Sequence, residues 1–258
     1  MTMPALFVSH GSPMLAIQDS PAHRFLKGYG AELGKPSAIL SVSAHWEAVQ
    51  PTVSTAERPA TIHDFGRFPQ ALFDIDYPAP GAPEIAAKAA GLLRAAGLEA
   101  ATDPGHGLDH GSWVPLSLMY PATDVPVFQL SVQTCHGPAH HLALGQALRS
   151  LREENVLIFG SGSLTHNLRA FFTQDGSGET PDWVTEFADW TERAIAEGRT
   201  GDLLAYREKA PHAVQNHPTE EHFLPLFAAM GAGSDGRGRR VHQSIDGGVL
   251  AMDMYRFD

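Results

Sequence analysis

Four short apolar runs recur along the chain, and none of them alternates cleanly between apolar and polar residues. They cover Ala5–Ser9, Ala38–Ser43, Val127–Val132 and Val156–Gly160. Strands that are buried on both faces show this pattern, whereas strands with one solvated face alternate. Helical patterns separate the runs, at Pro83–Ala96, Ala139–Glu153 and Trp183–Glu197. This alternation predicts an α/β fold with a mostly parallel central sheet flanked by helices.

The length and organisation of the chain favour one domain. Its 258 residues suit either one large α/β domain or two small ones, but no internal repeat or linker divides the sequence. The segment Glu47–Pro80, rich in proline and aromatic residues, predicts a long ordered loop or lid, and Gln174–Thr180 predicts a short loop. A Gly- and Arg-rich loop, Gly231–Arg240, precedes a last strand pair near Val241–Met254. We therefore expect a single domain over residues 1–258.

Charge and cysteine content argue against several classes of protein. The formal net charge of -11 disfavours non-specific nucleic-acid binding, which needs a basic face, and docking on an anionic membrane. The single cysteine, Cys135, excludes an intramolecular disulfide framework and a cysteine-rich zinc site. The N-terminus lacks the features of a signal peptide, and no stretch approaches the roughly 18 apolar residues of a membrane span. These features predict a soluble, cytoplasmic protein.

Histidines follow three of the predicted strands. The chain has 14 histidines against 18 lysines and arginines, and histidine is the commonest metal ligand and acid–base residue near neutral pH. His10 directly follows the first run, His45 follows the second, and His166 follows the fourth across a GSGSLTH turn. Because ligands bind beyond the carboxyl ends of strands in open α/β sheets, we expect these imidazoles at one edge. Gly160 and Gly162 allow tight turns and close backbone approach.

A second group of histidines lies in NHPTEEHFLP. His217 and His222 flank Glu220 and Glu221. The Thr219 hydroxyl is placed to cap a helical turn, with the acids at its positive end. An ordinary acidic helix N-terminus accounts for the same residues.

A third group lies in GHGLDHGSWVPL, where His106, Asp109 and His110 occupy a Gly-rich loop. Such a loop suits the wall of a site, although a turn with a hydrogen-bonded histidine has the same pattern. His63, in IHDFG, either lines a pocket or bonds within its own loop. The remaining histidines have no distinctive context and are predicted to be structural or exposed: His23, His136, His140, His141, His212 and His242.

Sequence signatures of several other enzyme classes are absent. GSGSLTH lacks the glycine that a nucleophile elbow needs two residues after its serine. Cys135 and His136 make a poor nucleophile–base pair, because neighbouring side chains rarely face each other. No Walker loop, GxGxxG or HExxH motif occurs. The dispersed histidines therefore favour a metal-dependent enzyme.

Six motifs, in order, resemble those of the class III extradiol ring-cleavage dioxygenases, and more narrowly the 4,5-DOPA dioxygenase group of the LigB-like superfamily. They are FVSHGSPM, SVSAHWE, IHDFGRFPQALFDIDYPAPG, GLDHGSWVPLSLMYP, GSGSLTHNL and HPTEEHFLPLF, and they span nearly the whole chain. The resemblance implies a LigB-like α/β fold and a mononuclear non-haem Fe(II) site, with Zn(II) as an alternative bound metal. It also implies a catechol and O2 as small-molecule partners.

The resemblance implies metal ligands residue by residue. His10 of SHGSP and His45 of SAHW match two metal-binding histidines, and His222 of HPTEEHF matches the third. The wider superfamily commonly supplies a glutamate as its third ligand, giving two histidines and a carboxylate. Glu220 and Glu221 therefore stay open as rivals of His222.

The resemblance also implies two histidines that act on the substrate. His166 of GSLTH matches the acid–base histidine, and His110 of GLDHG matches a second histidine lining the substrate pocket. Three protein ligands on one face of a metal leave cis positions for both catechol oxygens. The metal lowers the pKa of the catechol, His166 accepts a proton, and ring opening gives a muconic semialdehyde.

Three functional hypotheses remain at this stage. The first is an Fe(II) extradiol dioxygenase acting on DOPA, caffeate or another substituted catechol. The second is a zinc-dependent hydrolase that uses the same histidine site, since three histidines and an open position also suit a zinc-bound hydroxide. The third is a non-enzymatic metal-binding or scaffold protein. We expect a monomer or a small homo-oligomer.

Overall fold

The structure, a computed structural model, describes residues 2–173 and 179–258. Residues 174–178 of the predicted Gln174–Thr180 loop lie outside the described residues. The strands are β1 (Ala5–Ser9), β2 (Ala38–Glu47), β3 (Thr52–Ser54), β4 (Ala101–Asp103), β5 (Val127–Val132), β6 (Val156–Gly162), β7 (Arg239–His242), β8 (Ile245–Asp246), β9 (Leu250–Ala251) and β10 (Met254–Phe257). The helices are α1 (Pro21–Leu33), α2 (Gln70–Phe73), α3 (Pro83–Ala95), α4 (His110–Met119), α5 (Gly137–Leu148), α6 (Leu168–Phe172), α7 (Asp182–Glu197), α8 (Thr200–Leu204), α9 (Tyr206–Lys209), α10 (Ala213–Asn216) and α11 (Leu224–Ala232). Short 3₁₀ helices cover Pro13–Ala16, Thr134–His136 and Arg149–Glu154.

The central sheet contains eight strands in the order β4-β3-β5-β2-β6-β1-β10-β7. Its four middle strands, β5, β2, β6 and β1, are mutually parallel. They are the four apolar runs of the sequence, and β1, β5 and β6 are buried along their whole length. Antiparallel pairing joins β3 to β5 and β10 to β1, so the sheet is mixed at its margins. The α/β prediction with a mostly parallel sheet is confirmed.

Helices cover both faces of this sheet, as strand β6 shows. Successive side chains of a strand point to opposite faces. A Cβ atom on Gly160 would lie 2.3 Å from the carbonyl oxygen of Pro225 in α11, so this face carries α11. The neighbouring Ser161 hydroxyl donates to the carbonyl oxygen of Gly111 in α4, so the other face carries α4. The parallel strands are therefore sandwiched, which explains why their sequences do not alternate.

The predicted helices differ from the structure mainly at their ends. Helix α3 ends one residue early, shortly before Gly97 at φ 79°, while α7 ends at Glu197 and is followed by Gly198 in the left-handed conformation. Both glycines supply the positive φ that commonly ends a helix. The predicted helix Ala139–Glu153 is wrong as one element, because α5 begins at Gly137 and gives way to a 3₁₀ helix after Leu148.

Two predicted loops contain regular structure. The segment Glu47–Pro80 includes strand β3 and the short helix α2, and Tyr77 in it is buried. Gly231 belongs to α11, so the loop predicted to start there begins later. Among the described residues, no helix combines the length and the apolar character needed to cross a bilayer. The cytoplasmic location stays a prediction.

The crossing of α5 and α11 depends on a glycine. A Cβ atom on Gly145 of α5 would lie 2.0 Å from the carbonyl oxygen of Ala228 in α11. Gly145→Ala should therefore push the helices apart and lower the free energy of unfolding by about 1–3 kcal/mol, measured by urea denaturation. The matched control is Gly91→Ala in α3, where a Cβ meets nothing within 4 Å; it should raise stability by about 0.5–1 kcal/mol. Equal effects of the two substitutions would contradict this account of the packing.

Candidate functional site

Three parallel strands bring two histidines to the carboxyl edge of the sheet. His10 directly follows β1, and its backbone N–H donates to the carbonyl oxygen of Gly162 at the end of β6, at 2.9 Å. His45 lies inside β2 rather than after it, because that strand continues to Glu47. Its pairing with β5 is irregular between Val42 and Glu47. The prediction that His45 follows its strand is wrong, because the strand is longer than predicted. The prediction that His45 lies at the carboxyl edge of the sheet is right.

His222 reaches the same edge from a different segment. Helix α11 begins only at Leu224, and the Thr219 hydroxyl donates to the Glu221 carboxylate instead of capping a helix, so that predicted cap is wrong. The carbonyl oxygen of His222 accepts from the backbone N–H of Ser163 at 2.9 Å. A Cβ atom on Gly162 would lie 2.1 Å from that oxygen. Glycine is needed here for close backbone approach, not for a turn.

The imidazoles of His10, His45 and His222 converge on one point. The Nε2 atom of His45 lies 3.0 Å from Nε2 of His10 and 3.3 Å from Nε2 of His222. Two nitrogens bound at about 2.1 Å to one metal, at angles of about 90–109°, lie roughly 3.0–3.4 Å apart. The spacing of the three Nε2 atoms therefore fits a single metal ion.

The opposite ring nitrogens show why these Nε2 atoms carry lone pairs. The single hydroxyl hydrogen of Ser161 goes to the carbonyl oxygen of Gly111, so Nδ1 of His10 must donate to Ser161 Oγ, at 2.9 Å. Nδ1 of His222 lies 3.0 Å from the Glu221 carboxylate, which only accepts. Nδ1 of His45 faces Asp64 Oδ2 at 3.5 Å. With each proton on Nδ1, the three lone pairs meet at one point, an arrangement that a cation stabilises.

Burial keeps these imidazoles neutral. It lowers the pKa of His45 to about 3, with the nearby His110 adding to the effect and Asp64 opposing it. Burial also holds the pKa of His10 and of His222 well below the usual range. Neutral imidazole is the form that binds a metal ion. All three side chains are therefore ready as ligands at neutral pH.

His110 and Asp64 form a pair beside this cluster. His110 is the first residue of α4, with Asp109 as the N-cap, so the predicted Gly-rich loop is in fact a helix start. Asp64 Oδ1 accepts from both the backbone N–H and Nδ1 of His110, each at 2.9 Å. Burial raises the pKa of Asp64, but these hydrogen bonds outweigh it and bring the pKa to about 2. The carboxylate thus orients His110, whose ring centre lies 3.9 Å from that of His45.

His166 lies against His222. Their rings stack with centres 3.4 Å apart and planes 13° apart, and Nδ1 of His166 is 4.0 Å from the Glu221 carboxylate. The backbone N–H of His166 donates to the carbonyl oxygen of Asn216, which ties the turn after β6 to the segment before His222. Burial lowers the pKa of His166 to about 4, so its imidazole is neutral and can accept a proton.

A cavity of about 530 Å³ opens beside these histidines, which is within the usual size of a small-molecule site. Its wall contains His45, His110, His166, His222, Phe65, Phe68, Phe171 and Phe172. An apolar, aromatic wall with a few convergent polar groups suits a flat aromatic ligand.

The carboxylates of the two glutamates beside His222 are hydrogen-bonded to other side chains. Glu220 Oε2 accepts from the hydroxyl of Tyr206 at 3.0 Å. Glu221 Oε1 accepts from Nδ1 of His222 and from the Thr219 hydroxyl, on the side of the ring away from Nε2. The described part of the chain holds two further groups of ligand-type atoms, His45 with Asp64 and His110, and His166 with Glu221 and His222. Each of these contains a pair already joined by a hydrogen bond.

Several histidines singled out in the sequence do not reach the cavity. His63 bonds the carbonyl oxygen of Ile75 within its own loop, and His106 stacks on Trp46. His217 is buried and bonds the carbonyl oxygen of Leu164. Sequence reasoning missed Asp64 and Ser161. Asp64 could have been found from the sequence, because it directly follows His63 in IHDFG. The role of Ser161 could not, because it depends on the contact between β6 and the start of α4.

Comparisons with known proteins show similarity to ring-opening dioxygenases. Residues 4–249 match the family described as the catalytic LigB subunit of aromatic ring-opening dioxygenase. The chain is 45% identical to a 4,5-DOPA dioxygenase extradiol of Beta vulgaris, over 97% of this chain and 95% of that protein. It is 40% identical to the protein of that name in Escherichia coli K12, over 89% and 85%. The crystal structure of an uncharacterized Escherichia coli K12 protein superposes with a TM-score of 0.82 at 34% identity, covering 99% of this chain and 100% of that one.

Substitution of single histidines should show which of them are needed for metal binding. His10→Ala, His45→Ala and His222→Ala should each weaken Fe(II) or Zn(II) binding at least about 100-fold in equilibrium dialysis, and Ser161→Ala about tenfold through the freed His10 Nδ1. His212→Gln is the control, because this exposed histidine pairs with Glu186 away from the site. Wild-type affinity in any of the three alanine variants would remove that residue from the ligand set.

Buried histidines should also make the metal-free protein sensitive to acid. Burial lowers the pKa of His45 and His217 to about 3 and that of His141 and His166 to about 4. In the unfolded chain each titrates near 6.5. The unfolded state therefore binds more protons below about pH 6.5, and stability falls there by up to about 1.4 kcal/mol per pH unit for each histidine. Urea denaturation of metal-free protein at about pH 7.5 and pH 5 checks this, and equal stabilities would contradict it.

Proposed function

Since this chain belongs to the LigB family of class III extradiol dioxygenases, we propose that it holds one Fe(II) ion with His10, His45 and His222 and opens the ring of a substituted catechol. As a member of that family it is an extradiol ring-opening dioxygenase, an oxidoreductase. The proposal adds the metal, its ligands, the acid–base residues and the substrate class.

The observation that carries the proposal is the convergence of three imidazoles, in which Nε2 of His45 lies 3.0 Å from Nε2 of His10 and 3.3 Å from Nε2 of His222. The hydrogen bond from Nδ1 of His222 to Glu221 supports His222 as the third ligand. The same bond leaves Glu221 orienting the imidazole instead of replacing it, and Glu220 is engaged by Tyr206. Neutral imidazoles suit Fe(II) and also Zn(II), so Zn(II) fits as an alternative bound metal.

A redox-active ion held by three ligands supplies, when bound, open positions for the catechol oxygens and for O2 and lowers the pKa of the catechol. The side chains of the protein bind the substrate, orient it and move its protons. The phenylalanine-lined wall excludes water and orients the ring, which keeps the reacting atoms in place. The substrate must lose hydroxyl protons to bind through both oxygens.

His166 is the proposed acceptor of one of these protons. It lines the cavity next to His222, and its lowered pKa leaves it neutral before the substrate arrives. Glu221 lies near Nδ1 and stabilises the charge that the imidazole then gains. Once protonated, His166 is the donor available when the ring opens.

His110 is the proposed second acid–base group. Its Nδ1 donates to Asp64, so Nε2 is the nitrogen available to a substrate in the cavity. Asp64 stays ionised and fixes the orientation of the ring, as carboxylates do for catalytic histidines. The residue therefore holds or returns a proton beside His45.

The substrate proposed is a DOPA-like catechol, giving a muconic semialdehyde. Support comes from the names of the relatives in Beta vulgaris and Escherichia coli and from a cavity with room for more than a bare ring. We further propose that residues 1–258 act as one catalytic domain, because β1 and β10, from opposite ends of the sequence, pair within the central sheet. The oligomeric state stays a prediction.

Ring opening by the iron-loaded protein tests this proposal. Protein loaded with Fe(II) without oxygen, then given 4-ethylcatechol or DOPA and O2, should form a yellow semialdehyde and consume one O2 per product. His166→Gln should lower kcat by about 100–10,000-fold, the usual contribution of acid–base catalysis, while metal content stays at the wild-type level. His212→Gln serves again as the control.

Three outcomes would contradict the proposal. Full turnover by His166→Gln would remove the acid–base role of this residue. Metal binding without any turnover by the wild-type protein would instead agree with a scaffold protein. Zinc-dependent ester or amide hydrolysis without O2 uptake, in place of ring opening, would favour the zinc-dependent hydrolase.

A further inference from the structure

One wall of the cavity comes from the β8–β9 hairpin, outside the elements that carry the histidines. Asp246 of β8 pairs with Leu250 of β9, and both residues line the cavity. The hairpin is fixed to the turn after β6, because the backbone N–H of Ala251 donates to Thr165 Oγ1 at 2.7 Å and that hydroxyl donates to the carbonyl oxygen of Val249. The hairpin that carries Asp246 is therefore held against the turn that carries His166, and both residues line the cavity.

The charges on the cavity wall are all negative. Among the described residues that line it, Asp64 and Asp246 are the only aspartates, and no glutamate, lysine or arginine is present. Asp64 is already engaged by His110. Within residues 2–173 and 179–258, Asp246 forms no ion pair, and its carboxylate accepts a hydrogen bond from the backbone of Gly247.

We propose that Asp246 binds the ammonium group of catechols with an amine-bearing tail and so selects them over catechols with an anionic tail. This inference rests on the proposed function, since it places the catechol ring at the histidine cluster. The aromatic wall, with Phe65 and Phe171, holds the ring. The tail then extends to the β8–β9 hairpin, where the Asp246 carboxylate has no ion-pair partner among the described residues.

The energetics favour a cationic tail. Partial burial raises the pKa of Asp246, which is the sign of a carboxylate short of solvation. An ammonium group restores that lost stabilisation through a charge-assisted hydrogen bond. A carboxylate tail would instead meet a like charge in a partly water-excluded space.

The chain's net charge of -11 also draws cations towards the protein. The carboxylate of DOPA finds no cationic partner on the described wall, so dopamine should bind at least as well as DOPA.

Anaerobic binding tests the role of Asp246 separately from turnover. Dissociation constants are measured by calorimetry on the metal-loaded protein, without oxygen, for dopamine, 4-ethylcatechol and 3-(3,4-dihydroxyphenyl)propionate, whose tails are cationic, neutral and anionic. We expect dopamine to bind about tenfold or more tightly than 4-ethylcatechol, and the anionic catechol to bind most weakly. Raising the salt concentration should weaken dopamine binding most.

Two variants and a matched control assign the effect to one side chain. Asp246→Asn should bring the dopamine preference over 4-ethylcatechol close to one, and Asp246→Lys should reverse the order in favour of the anionic catechol. Asp235→Asn removes an equal charge from the exposed loop before β7 and should keep the wild-type preferences. Circular dichroism and metal content verify that each variant is folded and loaded.

The outcomes separate this inference from the proposed function. Equal binding of the three catechols to the wild-type protein, or an unchanged dopamine preference in Asp246→Asn, would overturn the role of Asp246 even where ring opening of 4-ethylcatechol proceeds. An Asp246-dependent dopamine preference supports the role, and it does so even where oxygen gives no ring-opened product and the proposed reaction fails.

Discussion

The site depends on three imidazole lone pairs that face one another. Such an arrangement is unfavourable unless a cation lies between them, since each lone pair carries partial negative charge. The protein nevertheless fixes it, because Ser161, Asp64 and Glu221 each face the Nδ1 atom of one imidazole. Burial then keeps the rings neutral. The side chains behind the imidazoles therefore determine which nitrogen of each proposed ligand is free to bind a metal, as is usual for metal-bound histidine.

The fold makes this convergence possible by close backbone contact. Gly162 lets the segment of His222 pass against the end of β6, where any side chain would collide with a carbonyl oxygen. On the other face of that strand, Ser161 bonds the first turn of α4 and so sets the position of His110. One strand thus places the proposed metal ligand His222 on one face and the proposed acid–base histidine His110 near the other. Small residues in GSGS serve this geometry rather than catalysis.

Much of this could be predicted from sequence, for physical reasons that also set the limit. Buried parallel strands leave apolar runs, and their carboxyl ends form the binding edge, so the place of His10 was readable. The role of His222 came only from the family resemblance, because its segment has no regular periodicity. Asp64 was not found, since its partner His110 is distant in sequence. Asp246 was not found either, since only the fold places its hairpin at the cavity. His110 was assigned to a loop because Asp109 was not recognised as an N-cap.

X-ray absorption at the iron edge of the Fe(II)-loaded protein tests the central claim most directly, because it counts and identifies the atoms around the metal without requiring turnover. Our account predicts three imidazole nitrogens at about 2.1 Å, with the remaining ligands from water or catechol, and the loss of one imidazole in His222→Ala. Two imidazoles with a protein carboxylate, or a spectrum unchanged in His222→Ala, would contradict it.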